Sequence, residues 1–147
     1  MVQIIDTLNT DTNIRMNTND ANGKLIFAEL SYTLTGICYD VHNRHGRYAR
    51  EKQYCDSLEE KLKELSIPYK REHTKEESGN RVDFLIDDKI ILEVKAKRFL
   101  LKEDYYQLQR YLQSCDKKLG LLVNFRNRYL KPKRIVRIDT SAKSKFA

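Results

Sequence analysis

Between residues 26 and 65 the apolar side chains fall at helical spacing. Leu30, Leu34, Ile37, Cys38 and Val41 recur every three or four positions and predict a first helix over about Ile26 to Asn43. After Gly46, a second stripe of Tyr54, Cys55, Leu58, Leu62 and Leu65 predicts a helix from about Tyr48 to Leu65. It ends at Ile67-Pro68, because proline disfavours helix in the residue before it. The period then changes from helix to strand. Tyr69 to His73, Arg81 to Ile86 and Ile90 to Lys97 predict three strands, with a polar loop at Thr74 to Asn80 and a hairpin at Asp87-Asp88-Lys89. A third helical stripe, Leu101, Tyr105, Leu108, Leu112 and Cys115, closes at Lys117-Lys118, where positive charge suits a helix C-terminus. Leu119 to Phe125 reads as a buried strand. Ile135 to Ile138 reads as the last strand, after the basic loop Arg126 to Arg134. The order α-α-β-β-β-α-β-β describes an α/β fold, a mixed sheet with helices on its faces. Residues 1–23, rich in Asn, Thr and Asp, read as a polar N-terminal arm with a short strand at Val2 to Ile5. No linker or repeat follows, so residues 24–147 are expected to form one domain.

The hairpin carries the first chemical signal. A three-residue loop sets Ile86 opposite Ile90, and therefore Asp83 opposite Glu93. Strict alternation puts Val82, Phe84, Ile86, Ile90, Leu92, Val94 and Ala96 on one wholly apolar face. The other face carries Asp83, Leu85, Ile91, Glu93 and Lys95; its Leu85 and Ile91 imply partial cover there too. Two carboxylates at the margin of a buried surface repel, and burial makes their charge costlier. A divalent cation resolves that conflict, and oxygen ligands suit Mg²⁺ or Mn²⁺. Lys95, two residues after Glu93 on the same face, is placed to position a water or to stabilise charge on a phosphate. The same spacing also describes a solvated strand face on which Lys95 pairs with one of the acids. Glu51 lies in phase with the apolar stripe of the second helix, near its N-terminus, where a carboxylate also serves as a cap. Gln107 flanks the stripe of the third helix one turn before Tyr111, as a boundary residue commonly does.

Composition adds two constraints. At 147 residues, 40% hydrophobic and 33% charged, the chain suits one soluble domain with its own core. It contains no apolar run long enough for a bilayer, and its N-terminus lacks the pattern of a secretory signal, so a cytoplasmic location is expected. The net charge of +7 is unevenly spread: residues 1–93 hold 13 Lys/Arg against 17 Asp/Glu, and residues 94–147 hold 15 against 4. A basic C-terminal third suits a polyanion, since its cations release counterions from phosphates, though such charge also serves solubility alone. Cys38, Cys55 and Cys115 have no zinc-ligand spacing and are expected to be reduced core thiols.

Taken in order, the pieces resemble the GxxExxY proteins, a branch of the PD-(D/E)xK nuclease superfamily. The likeness runs from about Lys24 to Ile138. Its parts are Val41-His42 before Gly46, Glu51 with Tyr54, Arg81-Val82-Asp83-Phe84, Glu93-Val94-Lys95-Ala96, Gln107 followed by Tyr111-Leu112, Gly120 to Phe125, and Lys133 to Val136. The resemblance implies a restriction-endonuclease-like fold with an αβββαβ core. It implies Asp83 and Glu93 as ligands of Mg²⁺ or Mn²⁺, Glu51 as a further acid at the metal, Lys95 as the group that orients the attacking water, and Gln107 as a polar contribution from the third helix. His42 matches a family histidine of structural or chemical service. One departure stands out: Tyr48 occupies the position of the family's first glycine, so the start of the second helix is expected to differ. The activity implied is metal-dependent hydrolysis of DNA, with Arg126, Arg128, Lys131, Lys133 and Arg134 holding the backbone and Tyr129 available to stack on a base. A module that binds nucleic acid or protein without cutting is the competing expectation, and a third is one component of a homodimer or larger complex, active only when a partner supplies substrate.

Overall fold

The computed structural model describes residues 26–74 and 81–139, and the expected N-terminal arm and its strand lie outside them. Helix α1, Ala28–His45, begins two residues later than the apolar spacing suggests, because Phe27 takes a left-handed φ of 50° and breaks the helical run. It ends at Gly46, whose φ of 73° is cheap only for glycine and whose N–H donates to the His42 carbonyl at 2.7 Å. Helix α2, Glu51–Glu64, begins three residues later than expected. The Arg50 N–H is already taken by the Gln53 side chain at 2.9 Å, half of a capping box.

Five strands follow: β1 Tyr69–Thr74, β2 Arg81–Ile86, β3 Ile90–Lys95, then, after helix α3 Lys102–Ser114, β4 Leu119–Asn124 and β5 Lys133–Val136. They form one mixed sheet in the order β1-β2-β3-β4-β5, parallel only between β3 and β4, the pair that α3 connects. The hairpin register is the expected one, Ile86 opposite Ile90, and Asp87 and Asp88 at its tip both take positive φ. Strand β5 lies two residues earlier than its apolar run suggested. Its partner β4 starts at Leu119, so pairing ends at Val136 and leaves Ile138 exposed.

Helices α1 and α2 cover one face of the sheet. Leu34, Ile37, Val41, Leu58 and Leu62 pack there on Phe84, Ile90, Leu92, Val94, Leu121 and Val123. On the other face α3 packs Leu108, Tyr111 and Leu112 onto Leu85, Ile91, Leu122 and Ile135. Helix and sheet come close at Gly120, where an added Cβ would lie 2.9 Å from both terminal carbons of Leu108. That contact fixes how near α3 and its polar residues stand to β3. Cys38 and Cys55 are buried and free, whereas Cys115 is only half-buried.

One expectation about the hairpin is corrected. Val82 does not share a face with Phe84; it packs with Leu85, Ile91 and Tyr111 under α3. The two-residue alternation therefore slips between Val82 and Phe84, at Asp83. The β2–β3 pairing runs from Ile86 only as far as Phe84 and Leu92, and beyond it side-chain carboxylates occupy the backbone donors.

Candidate active site

At the end of the hairpin the two expected acids hold each other's strands. Glu93 Oε1 accepts from the Asp83 N–H at 2.9 Å, and Asp83 Oδ2 accepts from the Val94 N–H at 2.8 Å. Those bonds leave Oδ1 and Oε2 for other partners. Glu93 is only 5% exposed. Burial first, and the Asp83 charge second, push its carboxyl up to about 8, against the Asp83 N–H and Lys95. Burial likewise raises Asp83, outweighing the Val94 N–H, Lys95 and Arg81. The pair is short of positive charge.

Lys95 continues along β3 toward α3. Its Nζ donates to Gln107 Oε1 at 3.3 Å and lies 3.9 Å from Asp104 Oδ1. The structure thus brings Gln107 to Lys95. Asp104 was not legible as a site residue. It is buried, accepts from the Leu101 N–H at 2.7 Å at the start of α3, and pairs with Lys97 at 2.9 Å. Burial works to raise the Asp104 carboxyl, but the Leu101 N–H, Lys97 and Lys95 together hold it below the ordinary range. Its place three residues after Leu101 is the signature of a helix cap, and only the fold turns that cap toward Lys95 and Lys97. Tyr111, absent from the expected stripe, packs in the core under α3 and also borders the acids: burial first, then Glu93 and Asp83, raise its phenol.

Asn124 is the other missed residue. It is buried at the end of β4, where its Oδ1 accepts from the Lys97 N–H at 3.1 Å and its Nδ2 donates to the Lys97 carbonyl at 2.8 Å. The neighbouring Phe125 N–H donates to the Lys95 carbonyl at 2.8 Å. These bonds fix the chain immediately after Glu93 and Lys95, and they stop β3 at Lys95 rather than Lys97.

Glu51, the first residue of α2, lines with Asp83 a groove of about 500 Å³ beside Arg71 and Arg81. Burial first and Asp83 second raise its carboxyl, while Lys95, the Ala96 N–H and Lys97 oppose the rise. Its position depends on Tyr54. That side chain is fully buried and stacked on Phe125 at 4.3 Å between ring centres. Its hydroxyl donates to the Gly46 carbonyl at 2.6 Å and accepts from the Ala49 N–H at 3.1 Å. The turn leading into Glu51 is pinned at both ends. Tyr48, within that turn, is exposed and is not among the residues with positive φ, so its backbone needs no glycine. His42 donates from Nε2 to the Asn127 carbonyl at 2.9 Å, tying α1 to the loop after β4.

The five basic residues expected at a nucleic-acid backbone separate. Arg134 is corrected outright: it is 2% exposed, and its guanidinium donates to Ser31 Oγ and to the Ile26 carbonyl. Burial without a carboxylate partner among the described residues lowers it to about 10. Its alternation on β5 turns it into the α1 side of the core, where no phosphate reaches it. Lys133 bonds the Tyr105 hydroxyl at 2.8 Å on the α3 side. Arg126, Arg128 and Lys131 share a second groove with Arg47 and Arg98, two cations that sequence spacing gave no reason to place there.

Asp83, Glu93 and Glu51 present oxygen donors only, which fits Mg²⁺ or Mn²⁺ and not a sulfur- or imidazole-seeking metal. Among the described residues no three His, Cys, Asp or Glu side chains are grouped so that they could hold a metal ion together, so Glu51 does not join Asp83 and Glu93 as a third ligand in this arrangement. Mg²⁺ is ordinarily held by one or two carboxylates and several waters, so the Asp83–Glu93 pair is a sufficient anchor.

A mixed sheet with helices on both faces, and an Asp on one strand beside a Glu-x-Lys on the next, define a nuclease-type α/β domain. The family model of the PD-(D/E)XK nuclease superfamily matches residues 28–138, and the chain belongs to that superfamily. No curated protein and no solved structure matches it significantly. No helix among the described residues is long and apolar enough to cross a membrane.

Proposed function

We propose that this protein is a Mg²⁺- or Mn²⁺-dependent nuclease that hydrolyses DNA phosphodiester bonds, of the GxxExxY branch of its superfamily. The observation that carries the reading is the pair of half-free carboxylates, Asp83 and the buried Glu93, each bonded to the other's strand end in a fold whose superfamily is one of nucleases. Asp83 and Glu93 would hold the cation, with Glu51 at the N-terminus of α2 as a further acid facing it through water. When bound, the cation supplies Lewis-acid polarisation of a phosphoryl oxygen and acidifies water. Lys95 orients the attacking water and meets the negative charge that develops on the phosphate. Gln107 and Asp104 keep the Lys95 ammonium aimed along β3. The competing reading, a binding module without hydrolysis, draws on the basic loop after β4 alone.

Cleavage of plasmid and single-stranded DNA with Mg²⁺ or Mn²⁺, beside Asp83→Ala and Glu93→Ala, separates the two. Metal-dependent cutting lost in both variants is the expected result. Folded wild type that binds DNA but cuts neither substrate with either metal would overturn the hydrolytic reading.

A further inference from the structure

The groove beside Ala96 gathers cations and exposed rings in one wall. It has a volume of about 500 Å³ and is lined by five cations, Arg47, Arg98, Arg126, Arg128 and Lys131, with no acidic residue in its wall. Elsewhere Arg44, Lys52, Arg71, Lys89, Lys117 and Arg137 all pair with carboxylates. Among the described residues none of the five in the groove does so. Two tyrosines stand in the same wall, Tyr48 at 74% and Tyr129 at 71% exposure. Each is backed by guanidinium: Arg47 and Arg126 lie 5.0 and 5.5 Å from the centre of the Tyr48 ring, and Arg128 lies 5.4 Å from that of Tyr129.

The floor is rigid. Arg126 Nε donates to the Arg47 carbonyl and Arg47 Nε to the Arg126 carbonyl, both at 3.0 Å, clasping the loop after α1 to the loop after β4. A second nitrogen of Arg126 reaches the Ala96 carbonyl at 3.5 Å. Ala96 follows Lys95 directly, and its N–H faces Glu51. Arg126 thus ties the groove to the residue that lies between Lys95 and the Glu51 carboxylate.

Uncompensated cations select a polyanion. Exposed planar rings among them select one whose flat faces are free. A duplex hides its bases in the stack, whereas an unpaired strand presents alternating phosphates and open base faces to such a wall. We propose that this groove is a subsite for single-stranded nucleic acid, with Tyr48 and Tyr129 as base-stacking platforms and Arg128, Lys131 and Arg98 on the phosphates. It leads an unpaired strand to or from Asp83 and Glu93. The inference rests on the nucleic-acid reading above, but not on catalysis.

The test is fluorescence anisotropy on the full chain in excess EDTA, which separates binding from cutting. The probes are labelled oligo(dT) of about 16 nucleotides, the upper site size of small single-strand binders, and a duplex of equal length. Tyr48→Ala and Tyr129→Ala are each expected to weaken oligo(dT) binding about tenfold, the loss of one stacked base, and to leave duplex binding unchanged. Phenylalanine at either position should restore binding. Arg128→Ala and Lys131→Ala should each lower the salt dependence by about one released ion. Oligo(dT) binding indifferent to both tyrosines, or equal losses on strand and duplex, would overturn the proposal even if the enzyme cuts DNA. Tyrosine-dependent binding by a protein that never cuts would sustain it while removing the nuclease reading. Binding to anionic vesicles or acidic peptides with none to oligo(dT) would overturn it as well.

Discussion

Replacing Glu93 by glutamine should make the metal-free protein more stable. Glutamine keeps the Oε1 acceptor for the Asp83 N–H, and its amide can donate to the Asp83 carboxylate, so the strand ends stay joined. What it removes is the cost of ionising a buried acid beside another. Glu93 is raised from 4.5 to about 8 by burial and by Asp83. A carboxyl so raised binds its proton more tightly folded than unfolded. Its contribution to stability is full below about 4.5 and is lost progressively as pH climbs from there through about 8. At about 1.36 kcal/mol per pH unit, wild type carries a penalty of up to about 3 kcal/mol at neutral pH, which the variant escapes.

Urea denaturation in excess EDTA, followed across that pH window, measures the difference directly. The two proteins should coincide at the acid end, and Glu93→Gln should draw ahead as pH rises. Added Mn²⁺ should then stabilise wild type far more than the variant, since only wild type offers the full ligand pair. Parallel pH curves in EDTA would refute the claim that the pair is electrostatically frustrated.

Gly120→Ala forces Leu108 away from β4 and should cost about 1 to 3 kcal/mol, an overpacking effect. In a Leu108→Ala background, itself destabilised by the lost core packing, the same Gly120→Ala change should cost much less, as a double-mutant cycle by urea denaturation will show. Tyr54→Phe keeps the stack on Phe125 but loses the bonds to Gly46 and Ala49, and should cost about 1 to 3 kcal/mol. Hydrogen exchange should report a loosened turn ahead of Glu51, and unchanged protection there would refute its pinning role.

Much of this fold was legible because its elements are periodic and its register is pinned by a short hairpin. The stripes of α1 and α2 end at residues with a local physical reason, Gly46 and the approach to Pro68, whereas α3 stops at Ser114 with no basic residue in its last turn, short of Lys117-Lys118. The errors lie where partners outside the segment decide. Strand β5 is set by where β4 begins, and β3 stops where Asn124 captures Lys97. Asp83, Glu93, Lys95, Glu51 and Gln107 could be picked as polar residues on apolar patterns. Asp104 could not, because a cap and a site residue share the same sequence signature. Arg134 misled for the converse reason: in a run of basic residues only the strand's orientation reveals which one is buried.

The failure of alternation at Asp83 is the most informative of these. Strict alternation would have put Asp83 and Glu93 together on the α3 face, opposite Phe84 and α2. Instead Val82 takes the α3 side, and Asp83 lines the groove with Glu51 and Cys55 of α2. Glu93 keeps the alternation of β3 between Leu92 and Val94, and Tyr111 of α3 borders both acids. The slip lets the two acids meet at the parting ends of the strands, with the missing ladder bonds supplied by the carboxylates themselves. A regular hairpin would satisfy its backbone and bury the acids on one side. The irregular one opens its end to both α2 and α3, so Glu51 can approach from one helix and Gln107, through Lys95, from the other.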